Sequence, residues 1–218
     1  MSAATRTSIC FPSTEIRRGW ASLWRSAIAV TVAAGTVGCS TANPAPLRAV
    51  ERPIDLDRFM GDWYVLAHIP IEIPFFSEAS AYNGVESYRL TDGGIIETTY
   101  RFRDGGFDGP EVVFTPRGWV HDEKTNAEWR MQFVWPFRAA YLIAYVDDDY
   151  RNTIIGVPSR RNAWMMSRSP QVSDAELEML TNELVELGYD TETLRKVPQR
   201  WPSTEVRPAE PETLSTAD

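Results

Sequence analysis

The chain has few of the residues from which disulfide frameworks, metal sites and nucleophilic catalytic sites are built. Its 218 residues include two cysteines, Cys10 and Cys39, and two histidines, His68 and His121. A disulfide between the two cysteines would tie down nothing in the region with the folding pattern described below. Neither histidine lies in a motif that links it to a nucleophile or a metal. The sequence therefore predicts no enzyme, no metal site and no cofactor.

Negative charge outweighs positive charge beyond the N-terminus. The formal net charge is −8, and residues 1–38 contribute +3 from four arginines and one glutamate, which leaves −11 on the remainder. A domain of that charge repels a phosphate backbone, so nucleic-acid binding is not expected. A run of three aspartates, residues 147–149, has no EF-hand spacing around it, and we interpret it as a solvated acidic turn rather than a calcium site.

Long apolar runs are missing as well. The apolar stretch over residues 27–38 has 12 residues, whereas a membrane-spanning helix needs roughly 20. Three basic residues precede this stretch, Arg17, Arg18 and Arg25. A basic flank, a short apolar run and small residues at its end predict a secretory signal peptide over residues 1–38.

The signal-like segment ends in a sequence that resembles a lipobox, the site at which bacteria attach lipid to a cysteine and cleave before it. Its residues are Thr36-Val37-Gly38-Cys39, with Thr36 where leucine is usual. We interpret Cys39 as a lipidation site; the alternative is a plain signal peptide with an incidental cysteine. Attached lipid of this kind is expected to form a firm membrane anchor. Because Ser40 stands where aspartate would favour retention in the inner membrane, we expect the protein in the bacterial outer membrane, facing the periplasm.

Proline-rich segments flank the central region. Residues 39–53 contain three prolines and are predicted to form an extended tether. Residues 202–218 combine prolines with glutamates, a composition typical of a disordered acidic tail. The folded domain is therefore predicted over residues 54–201.

The central region alternates between short β-rich runs and turn residues. Glycines mark two hairpin turns, at residues 91–94 and 104–106. Eight runs at a spacing of roughly 8–12 residues predict an all-β meander, closed into a barrel or packed as a sandwich. The predicted strands are Trp63–Ile69, Val85–Leu90, Ile95–Arg103, Val112–His121, Glu128–Trp135, Ala139–Val146, Asn152–Val157 and Asn162–Arg168.

The fifth of these runs shows the clearest period of two. Trp129, Met131, Phe133 and Trp135 share one face, and polar residues alternate with them on the other. Such alternation indicates one dry face and one wet face. We therefore expect Trp129, Met131 and Phe133 to line the interior.

One helix is predicted after the last strand. Ser173 and Glu176 have the spacing of a capping box, in which Ser173 caps the helix and Glu176 reaches back to it. Gly188 supplies the C-terminal stop. We expect a helix over about residues 173–187 whose leucine stripe packs on the outer wall of the β structure.

Three short motifs, in order, resemble those of the lipocalin family. Gly61 and Trp63 open the first strand with the family's G-x-W spacing. Asp147 and Tyr150, after the sixth strand, match its D-x-x-Y motif. Arg168, just before the helix, stands where the third motif has its arginine. The resemblance covers about residues 53–200 and is strongest to bacterial outer-membrane lipocalins and apolipoprotein D.

The resemblance implies an eight-stranded antiparallel up-and-down β-barrel, or calyx, with the helix packed outside. It implies that the Arg168 guanidinium lies across the Trp63 indole and closes the narrow end, a contact worth about 2 kcal/mol when desolvated. An eight-stranded barrel holds one small ligand. The expected function is storage or transport of a fatty acid or lysophospholipid at the cell envelope; the alternative is a lipid-modifying enzyme that uses the same cavity.

The predicted lining of the cavity differs between the two lines of reasoning. On the sixth strand the resemblance to apolipoprotein D places Leu142, Ala144 and Val146 inward. On the third strand alternation favours Tyr100 and Phe102 inside, whereas the family-like register favours Arg101, which would meet a lipid phosphate or carboxylate. Both registers of the third strand stay open at the level of sequence.

Overall fold

The structure, a computed structural model, describes residues 45–74 and 76–202. The predicted signal peptide, the proposed lipidation residue Cys39 and the first part of the tether lie outside the described residues, as does nearly all of the acidic tail. Within the described ranges, no helix is long and apolar enough to cross a membrane.

The described chain is mostly β structure, with a short helix before the strands and a longer one after them. The elements are α1 (Leu56–Phe59), β1 (Gly61–Ile69), β2 (Glu72–Ile73), β3 (Phe76–Ser77), β4 (Ala81–Leu90), β5 (Ile95–Asp104), β6 (Glu111–Phe114), β7 (Arg117–Val120), β8 (Glu128–Val134), β9 (Phe137–Val146), β10 (Asn152–Gly156), β11 (Ala163–Ser167), α2 (Asp174–Glu186), a 3-10 turn (Thr191–Thr193) and β12 (Arg195–Lys196).

Eight strand positions close into an antiparallel barrel, which confirms the predicted fold. The sheet runs β1, β4, β5, β7, β8, β9, β10 and β11, and β11 pairs back with β1. β6 and β7 share one position, because they pair with different parts of β5. The sequence predicted them as one strand. They are separated at Thr115 and Pro116, where proline lacks the N–H that a ladder needs.

The connections define two ends of the barrel. α1 and the connections after β4, β7 and β9 lie at one end, here called the narrow end. The connections after β1, β5, β8 and β10 lie at the other, here called the mouth. The connection after β1 contains the β2–β3 hairpin, whose Phe76 packs on Phe114 with ring centroids 4.1 Å apart. This hairpin therefore covers part of the mouth.

A β-bulge in β1 changes which side chains face inward. The register with β11 shifts between Val65 and Ala67. Leu66 and Ala67 consequently both belong to the apolar cluster outside the barrel, and His68 turns towards the interior. An unbroken alternation from Trp63 would have placed His68 outside.

The C-terminal segment completes the barrel wall beside this bulge. β1 pairs with β4 over Gly61–Tyr64, and nearer the mouth β12 pairs with β1. The Gln199 side chain donates to the carbonyl oxygens of Val65 (2.7 Å) and Gly84 (3.2 Å), one on each side of the gap. The segment thus bridges β1 and β4 where they are not paired with each other.

Apolar clusters lie on both sides of the wall. The inner cluster lies within the barrel, and the outer cluster lies between the wall and α2, where Leu180 and Leu184 are fully buried. The Ser173 hydroxyl caps α2 by accepting from the Glu176 N–H (3.2 Å). The Glu176 carboxylate, predicted to reach back to Ser173, accepts a hydrogen bond from Asn152 (2.9 Å) and so ties α2 to β10.

Candidate functional site

The narrow end is closed by Arg168 and Trp63. The guanidinium carbon lies 3.7 Å from the centroid of the indole, and Trp63 is fully buried. Arg168 also donates to four carbonyl oxygens within residues 58–62 at 2.7–3.0 Å. Burial lowers the pKa of Arg168 to about 10. The arginine thus holds α1 against the barrel through hydrogen bonds as well as through the ring contact.

Gly61 begins β1 at this end, beside Arg168. Its φ of +90° belongs to the left-handed half of backbone space, and a Cβ there would lie 3.4 Å from Nη1 of Arg168. Glycine adopts this conformation without the steric cost that another residue would carry. The first family motif therefore has a structural reason in this chain.

The turn between β9 and β10 is also structural. Asp147 accepts hydrogen bonds from the N–H groups of Arg151 (2.7 Å) and Asn152 (3.0 Å). Tyr150, at φ +57°, accepts a hydrogen bond from the Asp55 N–H (2.9 Å), which fastens the turn to the start of α1. Within the described residues, no group of three or more acidic, histidine or cysteine side chains is arranged to hold a metal.

The structure places two of the three predicted lining residues of β8 inside the barrel. Trp129 and Met131 are fully buried in the inner cluster. Phe133 is 49% exposed and lies at the mouth rather than in the interior. The β8–β9 register shifts between Met131 and Val134, so alternation stops holding as the strand leaves the barrel. Whether Trp129 and Met131 contact a ligand stays a prediction.

The predicted lining from β9 is wrong in orientation for Leu142 and Ala144, whereas Val146 belongs to the inner cluster as expected. Leu142 and Ala144 belong to the outer cluster beneath α2, and Tyr141 and Ile143 face the interior. Because α2 covers the outer face of β9, both faces of this strand are apolar. Hydrophobicity therefore does not distinguish the residues that point outward from those that point into the barrel.

The register of β5 is settled in favour of alternation. Tyr100 and Phe102 are buried in the inner cluster, and Arg101 faces outward with its guanidinium 4.0 Å from the Asp62 carboxylate. The expectation that Arg101 meets a lipid headgroup inside the barrel is therefore wrong. An inward Arg101 would need a buried partner, whereas the outer wall leaves it 41% exposed.

A polar group near the mouth was missed by sequence reasoning. Glu78 follows the β2–β3 hairpin, is 2% exposed and accepts a hydrogen bond from the Trp164 indole (2.9 Å). His68 Nδ1 lies 3.3 Å from the same carboxylate oxygen. These contacts fasten the hairpin to β1 and β11. The bulge that turns His68 inward left no recognisable mark in the sequence.

A second buried carboxyl group lies deeper in the barrel. Glu86 hydrogen-bonds with the hydroxyls of Tyr88 and Tyr141, which are also hydrogen-bonded to each other. Burial is the main cause that raises the pKa of Glu86 to about 8, and the nearby Glu78 raises it further. Glu86 shares the inward face of β4 with Tyr88. An acidic residue on the apolar face of a predicted strand is the sequence feature that could have identified it.

The interior is therefore acidic and aromatic. Among the described residues, no lysine or arginine is classed as buried, whereas Glu78 and Glu86 are. The hydroxyls of Thr98 and Tyr100 are buried without a hydrogen-bond partner in the described structure. An anionic group placed between Glu78 and Glu86 would lie beside two carboxyl groups, with no buried lysine or arginine among the described residues to pair with it.

A cavity of about 390 Å³ lies at the mouth. Tyr141 and Trp164 form its inner side, so it reaches the side chains that hold Glu86 and Glu78. Phe133 and Arg161 contribute from the strand connections around it. Its wall is mainly apolar, with charge at the outer edge, an arrangement that suits a molecule with an apolar body and a polar end.

Fold and site together define a calyx of the lipocalin type: a closed eight-stranded barrel, sealed at one end by an arginine–tryptophan contact and followed by an external helix. The chain belongs to the family of the lipocalin-like domain, whose model matches residues 54–199. Membership of this family supports binding of a small hydrophobic ligand in the barrel.

The comparisons with individual proteins agree. Temperature-induced lipocalin-1 of Arabidopsis thaliana is 30% identical over 164 residues, covering 69% of this chain and 82% of the relative. Outer membrane lipoprotein Blc of Escherichia coli K12 is 27% identical over 173 residues, covering 74% and 89%. Insecticyanin from the tobacco hornworm Manduca sexta has the same fold, with a TM-score of 0.54, 15% identity and coverage of 76% and 89%.

Proposed function

We propose that the protein binds a single fatty acid or lysophospholipid in its barrel and stores or transports it at the bacterial cell envelope. The observation that carries this proposal is the closed barrel, sealed at Trp63 and open through the apolar cavity at the mouth. A buried methylene contributes about 0.8 kcal/mol, so an acyl chain gains most of its binding free energy from such an interior.

The charge distribution favours entry of the tail first. Glu78 would oppose a carboxylate or phosphate inside the barrel, and an anion beside Glu86 would find no buried lysine or arginine among the described residues. Arg161 at the edge of the cavity suits the anionic head instead. The ligand would therefore lie with its tail towards Trp129 and its head at the mouth, the reverse of the arrangement in which Arg101 meets the head inside.

The place of action follows from the proposed lipid anchor at Cys39. The relatives named outer membrane lipoprotein Blc support an envelope location for this chain. Cys39 itself lies outside the described residues. Anchorage at the outer membrane, facing the periplasm, would keep the barrel beside a source of acyl lipids.

Mass spectrometry of lipids extracted from the purified protein tests the proposal. We expect one acyl lipid in near-stoichiometric amount, and a fatty acid should displace a fluorescent fatty-acid analogue from the barrel. Protein that carries no acyl lipid and does not bind the analogue would contradict the proposal. Chemical turnover of added lipid, lost on substitution of His68, would instead identify a lipid-modifying enzyme.

A further inference from the structure

Exposed apolar side chains are concentrated at the mouth. Five large ones lie on the β2–β3 hairpin and around the β8–β9 turn, and we call them the apolar rim. Its members and their exposed fractions are Ile73 (55%), Phe133 (49%), Val134 (65%), Trp135 (81%) and Phe137 (75%). Soluble proteins rarely leave large apolar side chains clustered in water, and such patches mark interaction surfaces.

The apolar rim borders the entrance that a ligand must use. Phe133 lines the 390 Å³ cavity, and Ile73 lines a second cavity of about 450 Å³ beside it. Ile71, Arg161 and Asn162 line both cavities, which places the hairpin and the β8–β9 turn around one opening. Whatever covers the apolar rim therefore also faces the mouth.

The N-terminal chain enters the described structure at the same end. The carbonyl oxygen of Ala45 accepts a hydrogen bond from Arg160 (2.6 Å), and the N–H of Leu47 donates to Pro158 (3.0 Å). Arg160 and Pro158 belong to the β10–β11 connection at the mouth. Five residues lie between Cys39 and Ala45, so the covalent span between the two is at most about 20 Å. Lipid on Cys39 would hold the mouth, and not the narrow end, near the bilayer.

Charge at this edge also suits a membrane surface. Arg138 adjoins Phe137 and stacks on the Trp119 ring at 3.8 Å, and Arg161 is exposed between the two cavities. In a chain of net charge −8, these arginines make a locally basic edge. Basic side chains next to tryptophan and phenylalanine are typical of surfaces that lie in the headgroup region of a bilayer.

We propose that the apolar rim inserts into the surface of the bilayer that carries the Cys39 anchor, so that the barrel opens directly onto the membrane. Trp135 and Phe137, the most exposed members, enter the headgroup region, and Arg138 meets anionic headgroups. A lipid then passes between bilayer and barrel without crossing water. The orientation rests on the proposed anchor, but insertion of the rim does not require it.

Binding to vesicles of phosphatidylcholine and phosphatidylglycerol tests the rim without the anchor. The probe is the mature chain carrying Cys39→Ala, with and without Trp135→Ser and Phe137→Ser. We expect the double substitution to weaken vesicle binding by at least about tenfold, since each aromatic side chain loses apolar burial. Brominated acyl chains should quench tryptophan fluorescence in the parent and less in the double variant.

Val185→Ser is the matched control, because Val185 is 53% exposed on α2 and lies outside the rim. It should leave vesicle binding unchanged. Equal binding by parent and double variant, or an equal loss with Val185→Ser, would overturn the proposal. So would sedimentation that shows a lipid-free dimer abolished by the double substitution, because the rim would then cover a second copy of the chain.

The outcome is separable from that of the proposed function. The double variant should keep its circular dichroism and its affinity for a soluble fatty-acid analogue, since Trp135 and Phe137 do not line the mouth cavity. A parent protein that binds the analogue but not vesicles contradicts rim insertion alone. A protein that binds vesicles but no acyl ligand contradicts the proposed function alone.

Discussion

Glu86 is a carboxyl group held in a dry interior by two tyrosine hydroxyls. Among the described residues its neighbours supply hydrogen bonds and the negative charge of Glu78, but no buried cation. The protonated form is therefore favoured, and the pKa is raised to about 8. Near neutral pH this side chain acts mainly as a neutral hydrogen-bonding group within the aromatic cluster of Tyr88 and Tyr141.

The raised pKa predicts a pH-dependent stability. In the unfolded chain Glu86 ionises near its ordinary value of 4.5, whereas in the folded chain it holds its proton up to about pH 8. Folding therefore retains a proton in this window, and Glu86 loses stabilising effect as the pH rises from 4.5 to 8. Glu86→Gln should remove this loss. The variant should gain stability relative to the parent by up to about 1.4 kcal/mol per pH unit.

Urea denaturation at several pH values between 5 and 8 measures this difference. Glu97→Gln is the control, because Glu97 is on the outer face of β5 and pairs with Arg89. A constant difference between Glu86→Gln and the parent across the window would show that Glu86 is ionised in the folded protein.

Substitution of Trp63 and substitution of Arg168, both at the narrow end, should lower the free energy of unfolding by different amounts. Trp63→Ala removes a fully buried indole and should cost about 3–5 kcal/mol. Arg168→Ala should cost about 2–3 kcal/mol, because it removes the ring contact and the hydrogen bonds to α1. Denaturant unfolding measures both, with exposed Arg151→Ala as the control. A near-neutral Trp63→Ala would mean that the indole does not support the fold.

At the scale of elements, the sequence predicts a strand best where one face is wet. β5 alternates along nearly its whole length, and its inward residues Tyr100 and Phe102 are those that alternation favoured, although the sequence left the register open. β9 has a continuous buried run because α2 covers its outer side, so alternation gave no orientation there, and the orientation of Leu142 and Ala144 taken from the resemblance failed. The face of such a strand is decided by tertiary packing, which local pattern does not contain.

Bulges and short elements also could not be predicted from the sequence. The inward position of His68 depends on one extra residue in β1, and the position of Glu78 depends on a hairpin of two-residue strands. Neither feature has a period that sequence inspection detects. The acidic part of the candidate site was therefore missed, although the motifs that close the narrow end were recognised from spacing and resemblance.

The end of β8 gives a prediction about ligand binding. Phe133→Glu places a carboxylate on the wall of the mouth cavity, next to Tyr141 and Trp164. It should weaken binding of a fatty-acid analogue by about tenfold or more, because apolar contact is lost and like charges approach the head. Stability should change little, since Phe133 is half exposed. Fluorescence titration gives the affinity.

Gln132→Glu is the matched control for this substitution. It adds the same charge one residue away, at a side chain that does not line the mouth cavity. Equal loss of affinity in both variants would show that charge alone, rather than contact at the mouth, is responsible. Unchanged affinity in Phe133→Glu would place the ligand away from this cavity.

At the scale of the whole molecule, the proposed lipid anchor and the barrel domain are separate parts of one chain. The described fold begins with Ala45 and Leu47 at the mouth, and the barrel and both apolar clusters are built from described residues. Loss of the acyl chains should therefore leave the barrel intact. It should also leave only the weaker contact of the apolar rim to hold the protein at the membrane.

Cys39→Ala tests this separation. The variant is exported behind a signal peptide whose cleavage does not need the cysteine, so that an uncleaved leader does not itself hold the protein. We expect its fatty-acid affinity and unfolding midpoint to equal those of the parent. We also expect most of it to leave the membrane fraction after a high-salt wash, because salt screens the attraction between Arg138, Arg161 and anionic headgroups. The parent should stay, since insertion of acyl chains does not depend on salt. Retention after the wash of a Cys39→Ala variant that also carries Trp135→Ser and Phe137→Ser would contradict lipidation as the anchor, whereas release accompanied by a lower unfolding midpoint would show that the N-terminal cysteine contributes to the fold.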